Sequence, residues 1–261
     1  MSNDLVTYEE AWSDEAKAAA AANRVSTGGR FISHRSGVFT VGDDMEFPEL
    51  CAVILASAHE NVWYGRAFDP ENFAPPKCFA LSKAGLSMSA ASMGAHESTY
   101  EDDYFEPQSE SCKGCPKNEW PKKGEVKQKE CRNMHRLLLL PVGQYTPRKG
   151  SRDLDLDLFL GDDADENAEY ARDGDAYLLK LPPTSLTHYK EMVVRTQREY
   201  NRPPHGMIMR IYTEPYKRGG HTIRMEPIGT LPDALYPHIK ARIEAEQDLL
   251  MRPYTPPQED V

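Results

Sequence analysis

Cys112 and Cys115 enclose two residues, fifteen more separate Cys115 from Cys131, and thirty-three separate Cys78 from Cys112. A Cys-x2-Cys pair in a tight knuckle turn aims both sulfurs at one point and turns backbone N–H groups toward them, which suits tetrahedral zinc. Gly114 fits inside such a turn, and Pro116 stiffens its exit. Cys131 has the spacing of a returning ligand, and Cys78 completes the set from the end of a preceding strand. His135, four residues after Cys131, and His96 are rival fourth ligands. Four thiolates close the shell of the metal and leave no place for a reacting water. The expected role is therefore structural: the metal folds a loop too poor in apolar residues to hold itself. Zinc is the expected ion, with an iron–sulfur cluster or four free thiols as the alternatives. Cys51 stands in an apolar stretch and reads as a small core residue. A redox dithiol is disfavoured, because the strand-to-helix context of such pairs is missing.

The sequence around the cysteines is basic. Lys113, Lys117, Lys122, Lys123, Lys127, Lys129, Arg132 and Arg136 face only Glu119, Glu125 and Glu130, eight cations against three carboxylates and a local net of +5 in a chain of −10. Such a segment can track a phosphate backbone with salt-sensitive affinity. Trp120 sits in its middle and can stack on an unpaired base. Trp63, Tyr64, Phe68, Phe73 and Phe79 are further platforms. The plainer reading is that Trp120 covers the metal module and the lysines are simply solvated. Glu97 to Glu110 is acidic and is placed to fold over the basic loop when no nucleic acid is present. Arg210, Tyr212 and Arg224, on a late hairpin, are candidate groove residues.

The net charge excludes a uniformly basic nucleic-acid binder and an anionic membrane as the main partner, but not a local basic groove. No phosphate-binding glycine loop, dinucleotide fingerprint, nucleophile elbow or zinc-protease motif occurs, so no enzyme is expected. Asp153, Asp155 and Asp157, with Asp162, Asp163 and Asp165, admit a Mg²⁺ nuclease as a minor alternative. A second alternative is a protein–protein module whose acidity mimics DNA. No signal peptide or spanning segment is read, and the odd cysteine count favours a reducing cytoplasm.

These side chains need a scaffold. Residues 7 to 24 read as a helix opened by the capping box Thr7-x-x-Glu10 and ended at Gly28-Gly29. Arg30 to Ser33 and Val38 to Val41 flank Ser36-Gly37 as a hairpin. Leu50 to Ala56 reads as a buried strand, with Val62 to Tyr64 as a separate one. Residues 82 to 130 read as long loops, and Arg136 to Val142 as an apolar strand. Alternating leucines from Leu154 to Leu160 suggest a one-faced strand, and Gly161 to Asp175 an acidic solvated loop. Ala176 to Leu181 is a strand, and a helix capped by Thr184 or Ser185 runs to about Tyr200. Met207 to Thr213 and His221 to Glu226 form a second hairpin, followed by a helix from Leu231 to Met251. No βαβ alternation is evident. The inventory is α+β and mainly antiparallel: an OB-like barrel or small sheet with flanking helices and an inserted four-cysteine zinc module.

The block Cys112-Lys-Gly-Cys-Pro-Lys-Asn-Glu-Trp120, with Cys131-Arg-Asn-x-x-Arg-Leu137, resembles phage-encoded single-stranded DNA-binding proteins. Pro75-Pro76-x-Cys78 and Pro203-Pro204-x-Gly206 are also similar. The chain is read as an N-terminal helix over residues 1–27 and an OB-like domain over 28–251, and the likeness, which runs from Gly28 to about Leu250, implies an OB-like core with an inserted zinc module, placed at about 78–135. A short acidic, proline-rich tail over 252–261 follows, which lacks the terminal aromatic of such tails. It implies binding of single strands without sequence preference, in support of phage replication or recombination in the cytoplasm of an infected cell. The tail would recruit replication or recombination proteins.

Overall fold

The computed structural model describes residues 30–41, 45–65, 74–83, 104–121, 129–143, 164–217 and 219–254. The expected N-terminal helix, the Leu154–Leu160 strand, Phe68, Phe73, His96, Lys122, Lys123, Lys127 and residues 255–261 of the tail lie outside them.

Among the described residues nine strands form one sheet. They are β1 (Phe31–Arg35), β2 (Val38–Val41), β3 (Met45–Phe47), β4 (Glu49–Trp63), β5 (Cys78–Ser82), β6 (Arg132–Gly143), β7 (Tyr177–Leu181), β8 (Met207–Pro215) and β9 (His221–Thr230). Their order is β3-β2-β1-β7-β6-β4-β8-β9, with β5 also paired to β4. All pairings are antiparallel except β1 with β7, where Phe31 meets Leu178. The sheet curls into a half-barrel, an architecture compatible with an OB-like fold. The helices are α1 (Ala164–Asp173), α2 (Leu186–Tyr200), α3 (Tyr236–Ala245) and α4 (Gln247–Leu250).

The first hairpin turns at Ser36 and Gly37, both with positive φ (50° and 88°). This is the twist-matched turn that joins two strands with two residues. β4 is one strand of fifteen residues, not the two expected. β6 pairs with it from Cys51 to Val62, and register shifts at Cys51/Ala52 and Ile54/Ala56 bend it. On its other edge β8 pairs with Glu49–Ala52 and β5 with His59–Trp63.

Leu137, Leu138, Leu139 and Leu140 are all fully buried, so both faces of β6 are covered. Leu137 and Leu139 pack with Tyr189 and Met192 of α2. Leu138 and Leu140 pack with Ala171 of α1, Ile239 of α3 and Leu249 and Leu250 of α4. The sheet is thus a middle layer between helices.

Three further expectations change. Part of the acidic stretch Gly161–Asp175 is α1: Ala171 is buried against the sheet, Ala168 and Tyr170 pack beside it, and the Tyr170 hydroxyl donates to Pro141 O at 2.6 Å. Acidic residues in a first turn favour a helix through its dipole. The helix expected over Leu231–Met251 is a short 3₁₀ turn (Asp233–Leu235) followed by α3 and α4, broken at Glu246. The Glu246 carboxylate is clamped by Arg30 (2.9 and 3.1 Å) and Arg242 (2.8 Å). Ser185 stands at the N-cap of α2 but makes no side-chain cap bond. Its Oγ accepts from Ile223 N at 2.8 Å, tying α2 to β9.

Candidate metal centre and its basic surface

The strand register delivers the cysteines. Trp63 of β4 pairs with Cys78 on β5, and Val62 pairs with Arg132 on β6. Cys131, one residue before Arg132, therefore stands at the same end of the sheet as Cys78. The knuckle closes the space between them. Gly114 has φ +78° with open space around its Cα, so the backbone conformation itself selects glycine there. Pro116 opens a 3₁₀ turn to Asn118. Asn118 N donates to Cys115 O at 2.8 Å and Asn118 Nδ2 to Cys112 O at 3.0 Å, locking both ends of the knuckle. Cys131 N donates to Lys117 O at 2.8 Å and joins the knuckle to β6.

Cys78, Cys112, Cys115 and Cys131 line one pocket of about 30 Å³, together with Asn61, Trp63 and Asn118. All are free thiols. Burial pushes the Cys131 thiol up to about 12, and repulsion from Cys112, Cys78 and Cys115 adds to it. Burial also raises Cys78, and Cys112 and Cys115 raise it further. For Cys112, burial raises the thiol, the Asn61 amide works against that, and Cys115 adds to the rise. The sulfurs thus feel one another, yet among the described residues no three His, Cys, Asp or Glu side chains stand close enough to grip an ion as placed. The four cysteines share one pocket lining, and that makes them one candidate site.

The donor set fits zinc on a second ground. Asn61 is 1% exposed, lines the pocket, and its Nδ2 has no hydrogen-bond partner at full contact. The nearby group that its presence stabilises in charged form is the Cys112 sulfur. A buried N–H donor without a partner, on the wall of such a pocket, can act as the outer support of a metal ligand.

His135, the rival ligand, is placed elsewhere. It lies opposite His59 with ring centroids 4.2 Å apart and Tyr189 at 5.3 Å, and it does not line the cysteine pocket. Burial, and then His59, lower its pKa to about 4. Cys51 is fully buried, and burial raises its thiol to about 12, as a core residue requires.

No protein-family model matches the chain, and neither does any curated protein or solved structure.

Trp120, on the knuckle, is 72% exposed. Lys129 Nζ lies 5.5 Å from its ring. Lys113 and Arg132 are exposed, and among the described residues no carboxylate pairs with either. Arg132 sits 5.9 Å from the Tyr64 ring. Lys117 is half-spent: it bonds Glu130 at 2.9 and 3.1 Å and lies 5.2 Å from Trp63, whose Nε1 donates to the same carboxylate at 3.1 Å.

Three expected phosphate contacts do not fit that role. Arg136 is 1% exposed and bonds Glu60 at 2.8 and 2.6 Å. Its even position on β6 turns it to the α4 side of the sheet, away from the cysteines. Arg210 makes a two-pronged bond to Glu49 (both 2.7 Å) and lies 4.6 Å from the Tyr212 ring. Arg224 bonds Glu214 at 2.7 Å and also meets His188. Both hairpin arginines are neutralised within the protein, and Tyr212 is tied to one of them. Among the described residues both faces of β6 are also covered over Leu137–Leu140, so that segment offers no exposed face to a ligand. Glu60 itself was absent from the sequence reading. Only its late partner Arg136 makes it intelligible.

Proposed function

We propose that the protein binds single-stranded DNA without sequence preference, and that it does so through the four-cysteine knuckle rather than across the sheet. Cys78, Cys112, Cys115 and Cys131 hold zinc, and the metal fixes the loop that presents Trp120. The observation that carries the reading is Trp120: a tryptophan 72% exposed, on a cysteine knuckle, with a lysine over its ring. An exposed indole offers a flat π-face on which an unpaired base can stack. A base stacked on it gains about 1–3 kcal/mol. Lys113 and Arg132 supply phosphate contacts, joined by Lys122, Lys123 and Lys127 of the same basic stretch of sequence. The metal has a closed shell in this reading, so the protein acts by binding and not by catalysis. It would serve replication or recombination in the reducing cytoplasm of an infected cell, with the acidic tail meeting other proteins of that machinery.

The test is a titration with fluorescent oligo-dT. The zinc-loaded protein should bind it in low salt and lose affinity as salt rises. Trp120→Ala should weaken binding about 5- to 150-fold, the equivalent of one lost stack. Absence of binding by the zinc-loaded protein at low salt would refute the proposal.

A second reading, a protein-docking module, draws on the internal neutralisation of Arg210 and Arg224 and the net charge of −10. It predicts that Trp120 anchors a partner protein and that oligonucleotide leaves the surface untouched.

A further inference from the structure

Unlike Lys113 and Arg132, Lys129 turns its ammonium inward. Lys129 Nζ donates to Asn133 Oδ1 at 2.9 Å and to Asn118 Oδ1 at 3.4 Å. Asn133 Nδ2 then donates to Asn61 Oδ1 at 2.5 Å and to Asn118 Oδ1 at 3.0 Å. Asn61 and Asn133 face each other across β4 and β6, on the same side of the sheet as His59 and His135. The order of donors and acceptors in this chain is forced. A lysine ammonium has three donors and no acceptor. The Asn133 oxygen must therefore face Lys129, which turns its amide nitrogen to Asn61. The Asn61 oxygen must accept that bond, which turns Asn61 Nδ2 into the cysteine pocket. There it is buried, without a partner at full contact, beside the Cys112 sulfur. A buried donor left unmet costs about 1–3 kcal/mol, so the arrangement calls for an acceptor in the pocket, and a thiolate is the acceptor within it.

We propose that Lys129, Asn133 and Asn61 form a polar relay that fixes and partly neutralises the metal-bound Cys112 thiolate, making Lys129 a positioning residue of the metal site rather than a phosphate contact. Four thiolates around a divalent ion carry a net charge of −2, and a cation joined to one of them by oriented amides offsets part of it. Asn118 braces the relay, accepting from Lys129 and Asn133 while its own Nδ2 holds Cys112 O. The inference rests on the reading that the four cysteines bind metal.

The experiment uses the full chain loaded with Co²⁺ or Zn²⁺. The wild-type protein should show the sulfur-to-cobalt charge-transfer absorption of a thiolate site, and zinc should displace the cobalt. Absence of that absorption would overturn the metal reading and the relay with it. Given wild-type binding, Lys129→Met and Asn61→Asp should each lower zinc affinity about 10- to 100-fold in competition with a chromophoric chelator. Lys129→Arg, which keeps the charge and the donors, should recover most of the loss. At saturating zinc, Lys129→Met should leave the salt dependence of oligo-dT binding unchanged. Unaltered zinc affinity in Lys129→Met, with a salt slope shallower by about one, would overturn the relay and restore Lys129 as a phosphate contact. Circular dichroism of each variant separates a lost fold from a lost ligand: a variant that keeps the wild-type spectrum while losing zinc supports the relay, and one that loses both is replaced by Asn133→Leu, for which the same zinc loss is expected.

Discussion

Replacing Glu60 by glutamine should be among the most damaging single changes in the sheet. The Glu60 carboxylate is 0% exposed and accepts from Arg136 Nε at 2.8 Å, Arg136 Nη2 at 2.6 Å and the Tyr254 hydroxyl at 2.7 Å, with Lys180 Nζ 4.0 Å away. Burial alone would raise this carboxyl, but Lys180 and Arg136 outweigh it and hold it below the ordinary range. Arg136 and Lys180 are direct register partners on β6 and β7, so Glu60→Gln leaves the buried Arg136 beside the partly exposed Lys180 with no anion between them. Removing one member of a buried pair costs about 3–5 kcal/mol. Arg136→Met should cost less, because Lys180 still offsets the Glu60 charge and the Tyr254 hydroxyl still donates to its carboxylate. The double variant Glu60→Leu/Arg136→Met should recover much of the single losses, since a buried pair can be exchanged for apolar packing. Urea unfolding followed by circular dichroism gives these differences. A Glu60→Gln protein within about 1 kcal/mol of wild type would refute the reasoning. Arg136→Met should also leave oligo-dT affinity and its salt slope unchanged while the protein is folded, as expected of a buried arginine.

Other outcomes follow from the same geometry. His59 and His135 face each other with neither Nδ1 hydrogen-bonded, and burial lowers both, His135 to about 4. The unfolded chain therefore binds more protons in mild acid, so this stability is fully present above the ordinary histidine value and is lost as pH falls toward about 4. His135→Gln should flatten that limb of a melting-temperature profile. Cys115→Ser should cost zinc and oligo-dT affinity together while the sheet persists by circular dichroism; zinc retained at wild-type affinity would exclude Cys115 as a ligand. Arg210→Gln and Arg224→Gln should leave the salt slope of binding unaltered, because Glu49 and Glu214 already neutralise them. A slope shallower by about one in either would return that arginine to the interface.

Much of this fold was legible because its signals are local. Ser36-Gly37 marked a tight hairpin, Leu137 to Leu140 marked a strand buried on both faces, and the cysteine spacing marked the knuckle. What stayed hidden depends on partners distant in sequence. β4 read as two strands because His59, Glu60 and Asn61 interrupt its apolar run. Their partners, His135, Arg136 and Asn133, lie more than seventy residues away, and only strand pairing reveals that Glu60 meets Arg136 and Asn61 meets Asn133 inside the fold. α1 read as a solvated loop because its buried stripe is made of small alanines and one tyrosine among acidic residues. The choice between Cys78 and His135 turns on register: the pairing of Trp63 with Cys78 brings that sulfur to the knuckle, while His135 falls four residues inside β6 and faces His59. Charge alone could not distinguish Arg136 from Lys113, since burial in an ion pair leaves no local mark in the sequence.

The most direct measurement is the affinity of the full chain for oligo-dT at low salt, taken on zinc-loaded protein and again after complete metal removal by a chelator, with metal content measured on the same samples. The account predicts one zinc per chain, binding that weakens with salt, and loss of that binding with the metal. Oligo-dT affinity unchanged after the metal is gone, or no binding with zinc in place, would contradict it.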